Sequence, residues 1–392
     1  MSADMTFGSD EWLMDRALRY AKFGLGTVAP NPSVGAVVFD PVAREMVGVG
    51  WTQPGGRPHA EPVALDAAGQ RTRGATMAVT LEPCVHFGRS PPCTNAIIAA
   101  GIRRVIFAIP DPDPRVAGKG AAKLRDAGIA VDRFTPAAAE EARWVTRGHI
   151  LRVTERRPFV QVKIAVGADG RIAHGAGRTA AEARPTWVTG QTARATGHLL
   201  RAEADAIVVG TGTVLDDDPD LTCRLPGTEL RSPIRIVIGE RGVPANSRLL
   251  ATADRVPVVR YARRSDHAPE EPIAEPSTTT GGSTHVGVAT VGGSLWLPEI
   301  MEDLVGRGVT RLLVEGGPTL WAAFAKSRLV DEVVVFHAWE PDGKPSIAHA
   351  EHVVARYLPG VTVDAVDQRP VGRDHLFVFR APRAARLWPA AS

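Results

Sequence analysis

The sequence predicts an α/β protein of two domains, and three observations carry that expectation. Val- and Ile-rich stretches alternate with amphipathic ones of about ten residues, the pattern of strands joined by helices in a largely parallel sheet. At roughly 100–200 residues per domain, a chain of 392 residues that is 44% hydrophobic can build two cores. After a charged helical stretch over Glu140–Arg157, the sequence Arg156-Arg157-Pro158 breaks the alternation, so we expect one domain over 1–150 and a second over 157–385.

Taken in order, Ser9 is placed to cap a helix running to Gly24, with Asp10 and Glu11 at the positive end of its dipole and Leu13, Ala17, Tyr20 and Ala21 on one face. Ser33–Asp40 and Met46–Val49 read as strands joined by a turn at Pro41. A Gly/Pro loop over Pro54–Pro58 leads to a helix over Glu61–Ala68. Then follow strand Thr76–Leu81, helix Thr94–Ala100, strand Arg104–Ile109, helix Ala121–Ala127 and strand Ile129–Phe134. In the second half Phe159–Val166, Ala206–Gly210, Ile234–Gly239, Val256–Tyr261, Arg311–Val314, Glu332–His337 and His375–Arg380 read as strands, and Thr192–Glu203 and Thr319–Ala325 as helices. Residues 263–284, rich in Pro, Glu, Ser, Thr and Gly, read as a loop insertion.

Composition narrows the class further. The 46 basic and 43 acidic side chains nearly balance, which argues against a nucleic-acid or membrane-surface partner. Three cysteines cannot frame a disulfide scaffold and suit a reducing compartment. Neither a leader-like apolar run over residues 1–26 nor a stretch near the roughly 20 apolar residues of a membrane helix is found, so a cytoplasmic protein is expected.

The strongest chemical signal is His59-Ala60-Glu61, followed by Pro83-Cys84 and Pro92-Cys93. Hydrolytic deamination on zinc needs three protein ligands, an open position for water, and a carboxylate that moves protons. His59, Cys84 and Cys93 supply the ligands. Glu61, at a helix start, would take the water's proton and pass it to the departing amine. Cys93 begins a helix, which gives its thiolate a reason to form. A structural zinc would need a fourth protein ligand, for which His86 is the nearest but closely follows Cys84. Nucleobase deaminases usually separate their cysteines by two residues, whereas here the whole segment Val85–Pro92 intervenes. In the second half, Glu315-Gly316-Gly317-Pro318 between a strand and a helix offers free N–H groups to a phosphate, and Arg201 and Arg224 suit one by charge and shape. Asp216-Asp217-Asp218 before Pro219 reads as a solvated turn without a metal.

Several stretches together resemble one family. They are Pro30-Asn31-Pro32-Ser33-Val34-Gly35, the His59 and Cys84 segments, Gly88-Arg89, Pro91-Pro92-Cys93, Asp111-Pro112-Asp113-Pro114 and Val116–Gly120 in the first half. The second half adds Lys163–Ala173, Trp187-Val188-Thr189, Leu200-Arg201, Gly210–Arg224, Pro233–Ile238, Val314–Leu320 and Leu329–Glu332. The chain is similar along nearly its whole length to the bifunctional deaminase/reductases of riboflavin biosynthesis.

The resemblance implies a cytidine-deaminase-like zinc domain that removes the 2-amino group of a diamino-hydroxy-pyrimidine bearing ribosylamine 5-phosphate. A dihydrofolate-reductase-like domain would follow, using NADPH to turn the ribosyl chain into ribityl. It assigns His59, Cys84 and Cys93 to zinc, Glu61 to proton transfer, and Asn31, His86 and Lys119 to the pyrimidine or its phosphate. It implies NADPH contacts at Ala165, Trp187, Thr213, Asp217 and over Gly317, Pro318, Thr319, Leu320, Trp321, Ala322 and Ala323. Arg201, Leu221, Arg224 and Glu315 would contact the reductase substrate, and Lys163, Asp217 and Glu315 are the groups that could help the ring open. It also implies a homo-oligomer.

The pattern departs from the family at Gly167 and Pro185, at the Ala338–Asp342 segment, and in extra residues between Ala173 and Trp187. A second reading therefore stands beside the first: a working deaminase joined to a degenerate or repurposed reductase domain.

Overall fold

The computed structural model describes residues 6–88, 90–134, 136–172, 188–264, 283–339 and 345–382. The chain divides into two compact units, Met1–Arg156 and Arg157–Ser392.

The first unit runs α1 (Asp10–Ala21), β1 (Gly35–Asp40), β2 (Glu45–Trp51), α2 (Ala60–Ala68), β3 (Thr76–Leu81), α3 (Cys93–Ala99), β4 (Arg104–Ile109), α4 (Lys119–Asp126), β5 (Ala130–Arg133) and α5 (Pro136–Glu155). Ser9 caps α1, its hydroxyl accepting the Trp12 N–H at 3.2 Å. The sheet order is β2-β1-β3-β4-β5. Only β3–β4–β5 are parallel; β1 is antiparallel to both neighbours. β1 and β2 form a hairpin, as the expected turn at Pro41 implies, and the turn at 41–44 is closed by Asp40 accepting from Val42 and Ala43. The chain then passes through α2 to reach β3 on the far side of β1. Continuous burial along β1, β3 and β4 shows that both sheet faces are covered.

Two glycines set the position of α2. A Cβ on Gly48 would meet the Ala64 carbonyl at 2.2 Å, and one on Gly50 the Ala60 carbonyl at 2.3 Å. With Ala60, Ala64 and Ala68 on the facing side, all buried, the α2 backbone lies directly against β2. That close seat holds the first turn of α2, and with it His59 and Glu61.

The second unit runs β6 (Phe159–Val166), α6 (Gln191–Glu203), β7 (Ala206–Gly210), α7 (Thr211–Asp217), β8 (Ile234–Ile238), α8 (Arg248–Ala251), β9 (Val258–Arg263), β10 (Ser283–Val288), a small hairpin of β11 (Thr290–Val291) and β12 (Ser294–Leu295), α9 (Leu297–Gly306), β13 (Arg311–Val314), α10 (Pro318–Lys326), β14 (Glu332–Ala338), α11 (Ile347–Tyr357), β15 (Asp364–Val371) and β16 (Asp374–Arg380). The sheet order is β10-β9-β8-β7-β13-β6-β14-β16-β15, parallel from β10 to β14 and antiparallel beyond. Its main core gathers Val160, Val162, Ile164, Val208, Leu312, Trp321, Phe324 and Phe377. The stretch expected as a loop over 263–284 is ordered at both ends, where β9 reaches Arg263 and β10 starts at Ser283. Residues 265–282 lie outside the described residues. Among the described residues no helix is long and apolar enough to cross a membrane.

Candidate active sites

In the first unit the structure brings His59, Cys84 and Cys93 together, although they lie far apart in the chain. His59 is the residue before α2, in extended conformation, and its ring makes no capping hydrogen bond, so it is free to face inward. Cys84 follows β3 and Cys93 opens α3. The His59 Nδ1 lies 3.3 Å from the Cys93 Sγ and 3.8 Å from the Cys84 Sγ. Tetrahedral zinc with ordinary bond lengths would separate such nitrogen and sulfur ligands by about 3.6 Å. The donors therefore fit zinc in number, kind and spacing. Among the described residues they form the one cluster of this type, and His86 is not part of it, so these three residues would hold the metal.

The backbone N–H of Cys93 points at the Cys84 Sγ, 3.3 Å away. The hydrogen bond from the Cys93 thiol, with help from His59 and that N–H, lowers Cys84 to about 4 against the effect of burial. The same pairing with Cys84, together with burial, pushes Cys93 up. The N-terminus of α3 thus supports a thiolate at Cys84, and zinc would hold both sulfurs as thiolates. Glu61 is 4% exposed in the first turn of α2, and burial pushes its carboxyl up to about 7.

Next to these groups is a cavity lined by Asn31, Thr52, Arg57, His59, Glu61, Glu82, Cys84, His86, Asp111, Asp113, Arg115, His149, Arg152 and Val153, among others. Asn31 and His86 are thus brought in. Lys119 is not: it is exposed, and its ammonium donates to the Pro114 carbonyl at 3.0 Å. Arg57, Arg115, His149 and Arg152 were not singled out from the sequence. The buried Glu82 carboxylate organises the wall, accepting the N–H groups of Gly118 and Ala121 at 3.0 Å each.

In the second unit the residues singled out gather where parallel strands end in carboxyl termini, the edge at which open α/β sheets bind ligands. Glu315 directly follows β13. Arg201, on α6, donates to it through Nε at 2.8 Å and Nη2 at 2.9 Å, and Lys163, on β6, through Nζ at 3.2 Å. Burial pushes the Glu315 carboxyl up, but Arg201 and Lys163 outweigh it and hold the group below the ordinary carboxylate range. Arg201 also donates to the Thr222 carbonyl at 3.0 Å, which ties in the loop bearing Leu221 and Arg224. Leu221 is buried with a left-handed φ of 58°, and Arg224 is exposed.

Of the residues that the resemblance gives to NADPH, Ala165, Thr213, Gly317, Ala322 and Ala323 are half-buried, and Asp217, Pro318 and Thr319 are exposed. Leu320 and Trp321 differ: both are buried in the main core, the Trp321 ring 5.6 Å from that of Tyr357, so their side chains turn inward. The start of α10 is open, since nothing lies within 4 Å of a Cβ built on Gly317, and free N–H groups at a helix start suit a phosphate. After β7 the short helix α7 takes in Asp216 and Asp217 of the expected turn, and Asp218 ends it. Gly167 takes part in a turn, its N–H donating to the Arg171 carbonyl at 2.8 Å. Ala338 ends β14, and the Trp339 ring lies 6.0 Å from that of His375. Trp187, Pro185 and the span 340–342 lie outside the described residues.

Known proteins of the same pattern bear on both units. Residues 8–109 match the cytidine and deoxycytidylate deaminase zinc-binding region, and residues 158–339 match the RibD C-terminal domain. The riboflavin biosynthesis protein RibD of Aquifex aeolicus is 40% identical over 330 residues, which cover 84% of this chain and 86% of that one. RibD of Escherichia coli is 38% identical over 84% of this chain and 87% of its own length. The crystal structure of a diaminohydroxyphosphoribosylaminopyrimidine deaminase/5-amino-6-(5-phosphoribosylamino)uracil reductase from Thermotoga maritima superimposes with a TM-score of 0.75 and 33% identity, over 95% of this chain and 98% of that one.

Proposed function

The chain belongs to the RibD family, and on that premise we propose which of its residues carry the family's two reactions. It is a bifunctional enzyme of riboflavin biosynthesis, a zinc-dependent deaminase and an NADPH-dependent reductase. We assign the deaminase to residues 1–150, with a diamino-hydroxy-pyrimidine carrying ribosylamine 5-phosphate as substrate. The reductase is assigned to residues 157–385, where the ribosyl chain of the deaminated product becomes ribityl. A homo-oligomer in the cytoplasm is part of the same proposal.

Zinc held by His59, Cys84 and Cys93 supplies the Lewis acidity that makes water a nucleophile near neutral pH, and NADPH supplies the reducing equivalents. Glu61 accepts the proton of the attacking water and returns it to the leaving amine nitrogen, a task suited to a carboxyl lifted to about 7. Asn31 and His86 orient the pyrimidine, and Lys119, outside the cavity lining, is given no part.

In the reductase, Ala165, Thr213, Asp217, Gly317, Pro318, Thr319, Ala322 and Ala323 hold NADPH, with Leu320 and Trp321 anchoring that segment in the core, while Arg201, Leu221, Arg224 and Glu315 hold the substrate. Glu315, kept as an anion, cannot donate a proton. We assign protonation of the nitrogen of the opened ribosylamine to the Lys163 ammonium, an assignment supported by its ion pair with Glu315 at 3.2 Å.

The observation that carries this reading is the three-donor cluster at zinc spacing with Glu61 buried beside it. Its test is ammonia release from the phosphorylated diaminopyrimidine at one zinc per chain, followed by NADPH oxidation that depends on the deaminated product. Zinc-loaded enzyme that releases no ammonia would overturn the first assignment. Absence of NADPH oxidation with authentic deaminated product would leave the degenerate-reductase reading in its place.

A further inference from the structure

The cavity of the first unit is lined by Arg57, Arg115 and Arg152 and by the carboxyl groups of Glu61, Glu82, Asp111 and Asp113. Its acidic groups are already engaged. Asp113 is held by a two-pronged pair with Arg115, including Nε to Oδ2 at 2.9 Å, and Asp111 faces His149 at 3.5 Å and accepts the Asp113 N–H at 2.8 Å. Glu82 accepts backbone N–H groups, and Glu61 is buried with the metal donors.

Among the described residues, two of its guanidinium groups are left without an anion. Arg57, two residues before His59, donates to the neutral Ser90 hydroxyl at 2.8 Å. Arg152 has neither a hydrogen-bond nor an ion-pair partner among the described residues, and its Nε is buried. Together with His149 and Val153 it lines the cavity from one face of α5, at the three- and four-residue spacing of neighbours on a helix. A half-buried guanidinium facing a ligand cavity without an anion calls for one, and a phosphate matches its planar fork.

We propose that Arg152, with Arg57 as the second cation, grips the phosphate of the deaminase substrate and makes this unit selective for the phosphorylated pyrimidine. The proposal rests on the deaminase reading above, and it locates the selectivity in α5, outside the zinc-bearing segments.

The test is steady-state ammonia release from the phosphorylated pyrimidine and from its dephosphorylated counterpart, with zinc content measured for every variant. The wild type should prefer the phosphate ester. In Arg152→Met that preference in kcat/KM should fall by about 100-fold, chiefly through KM, and in Arg57→Met it should fall in the same direction. An unchanged preference in zinc-replete Arg152→Met overturns the proposal. Should that variant lose zinc or fail to fold, Arg152→Lys decides: the charge stays but the fork is lost, so a fall of about tenfold supports the assignment and no change overturns it. Wild-type enzyme that releases ammonia from neither compound would instead defeat the deaminase reading itself.

Discussion

Glu61 and His198 are the two residues whose protons matter most, for opposite reasons. Glu61 is not a metal donor, so Glu61→Gln should keep one zinc per chain by elemental analysis while ammonia release falls by about 1,000-fold. Loss of zinc in that variant would mean that Glu61 shapes the metal site and does not act on protons. His198 lies on α6, and its Nδ1 accepts the Arg224 N–H at 3.3 Å, which only a neutral ring can do. Burial, and then the charges of Arg201 and Arg224, lower it to about 4. An unfolded histidine takes its proton near about 6.5, so acid favours the unfolded chain. The contribution is full above about pH 6.5 and is lost as the pH falls to about 4. Urea midpoints of the second unit should therefore drop between pH 7 and pH 5, and His198→Asn should flatten that slope; equal slopes would remove His198 as the cause. Residue identity made the zinc donors legible in the sequence, because a His-x-Glu and two Pro-Cys pairs state their own chemistry. Arg57, Arg115 and Arg152 were illegible among so many arginines, since only the placement of α5 beside the cavity separates them from surface charge.

Strands and helices were legible where burial writes a period into the sequence. β3, β4, β6, β7 and β13 occupy the ranges expected from their apolar runs. β15 is exposed along nearly all its length and carries no alternation; it is a strand because β16 pairs with it. α9 carries a signal, Leu297, Ile300, Met301 and Leu304 at helical spacing, which the neighbouring low-complexity stretch masks. The first sheet leaves the strand–helix rhythm at β1, where hairpin closure at 41–44 makes the antiparallel pair that the turn at Pro41 announces. What the rhythm could not reveal is how closely α2 sits on β2, and that is testable. In Gly50→Ala the new methyl would stand 2.3 Å from the Ala60 carbonyl, so α2 must move outward. Overpacking of this kind costs about 1–3 kcal/mol. Because the displaced turn bears His59 and Glu61, zinc affinity should fall together with thermal stability. A variant that loses stability but binds zinc as the wild type does would show that the seat of α2 does not set the metal geometry.

At the scale of the molecule, each unit has its own core and draws its chemistry from its own residues. His59, Glu61, Cys84, Cys93 and the cavity around them belong to Met1–Arg156; Lys163, Arg201 and Glu315 belong to Arg157–Ser392. Joining them raises the concentration of one site near the other but requires no residue in common. The two activities should therefore be separable and recombinable. Glu61→Gln should retain NADPH oxidation with the deaminated compound, and Glu315→Gln should retain ammonia release. Glu315→Gln also leaves Arg201 and Lys163 without their buried anion, a loss of about 3–5 kcal/mol if unrelieved, so its second unit must be checked for folding before the assay. Neither variant alone should form the ribityl product from the diaminopyrimidine. An equimolar mixture should form it, after the lag that the wild type shows at the same concentration of each site, because the intermediate crosses between sites through solvent. A wild type without a lag, beside a mixture that has one, would mean that the intermediate passes directly from unit to unit within one assembly. That outcome would make the covalent join between the units part of the mechanism and not only of the gene.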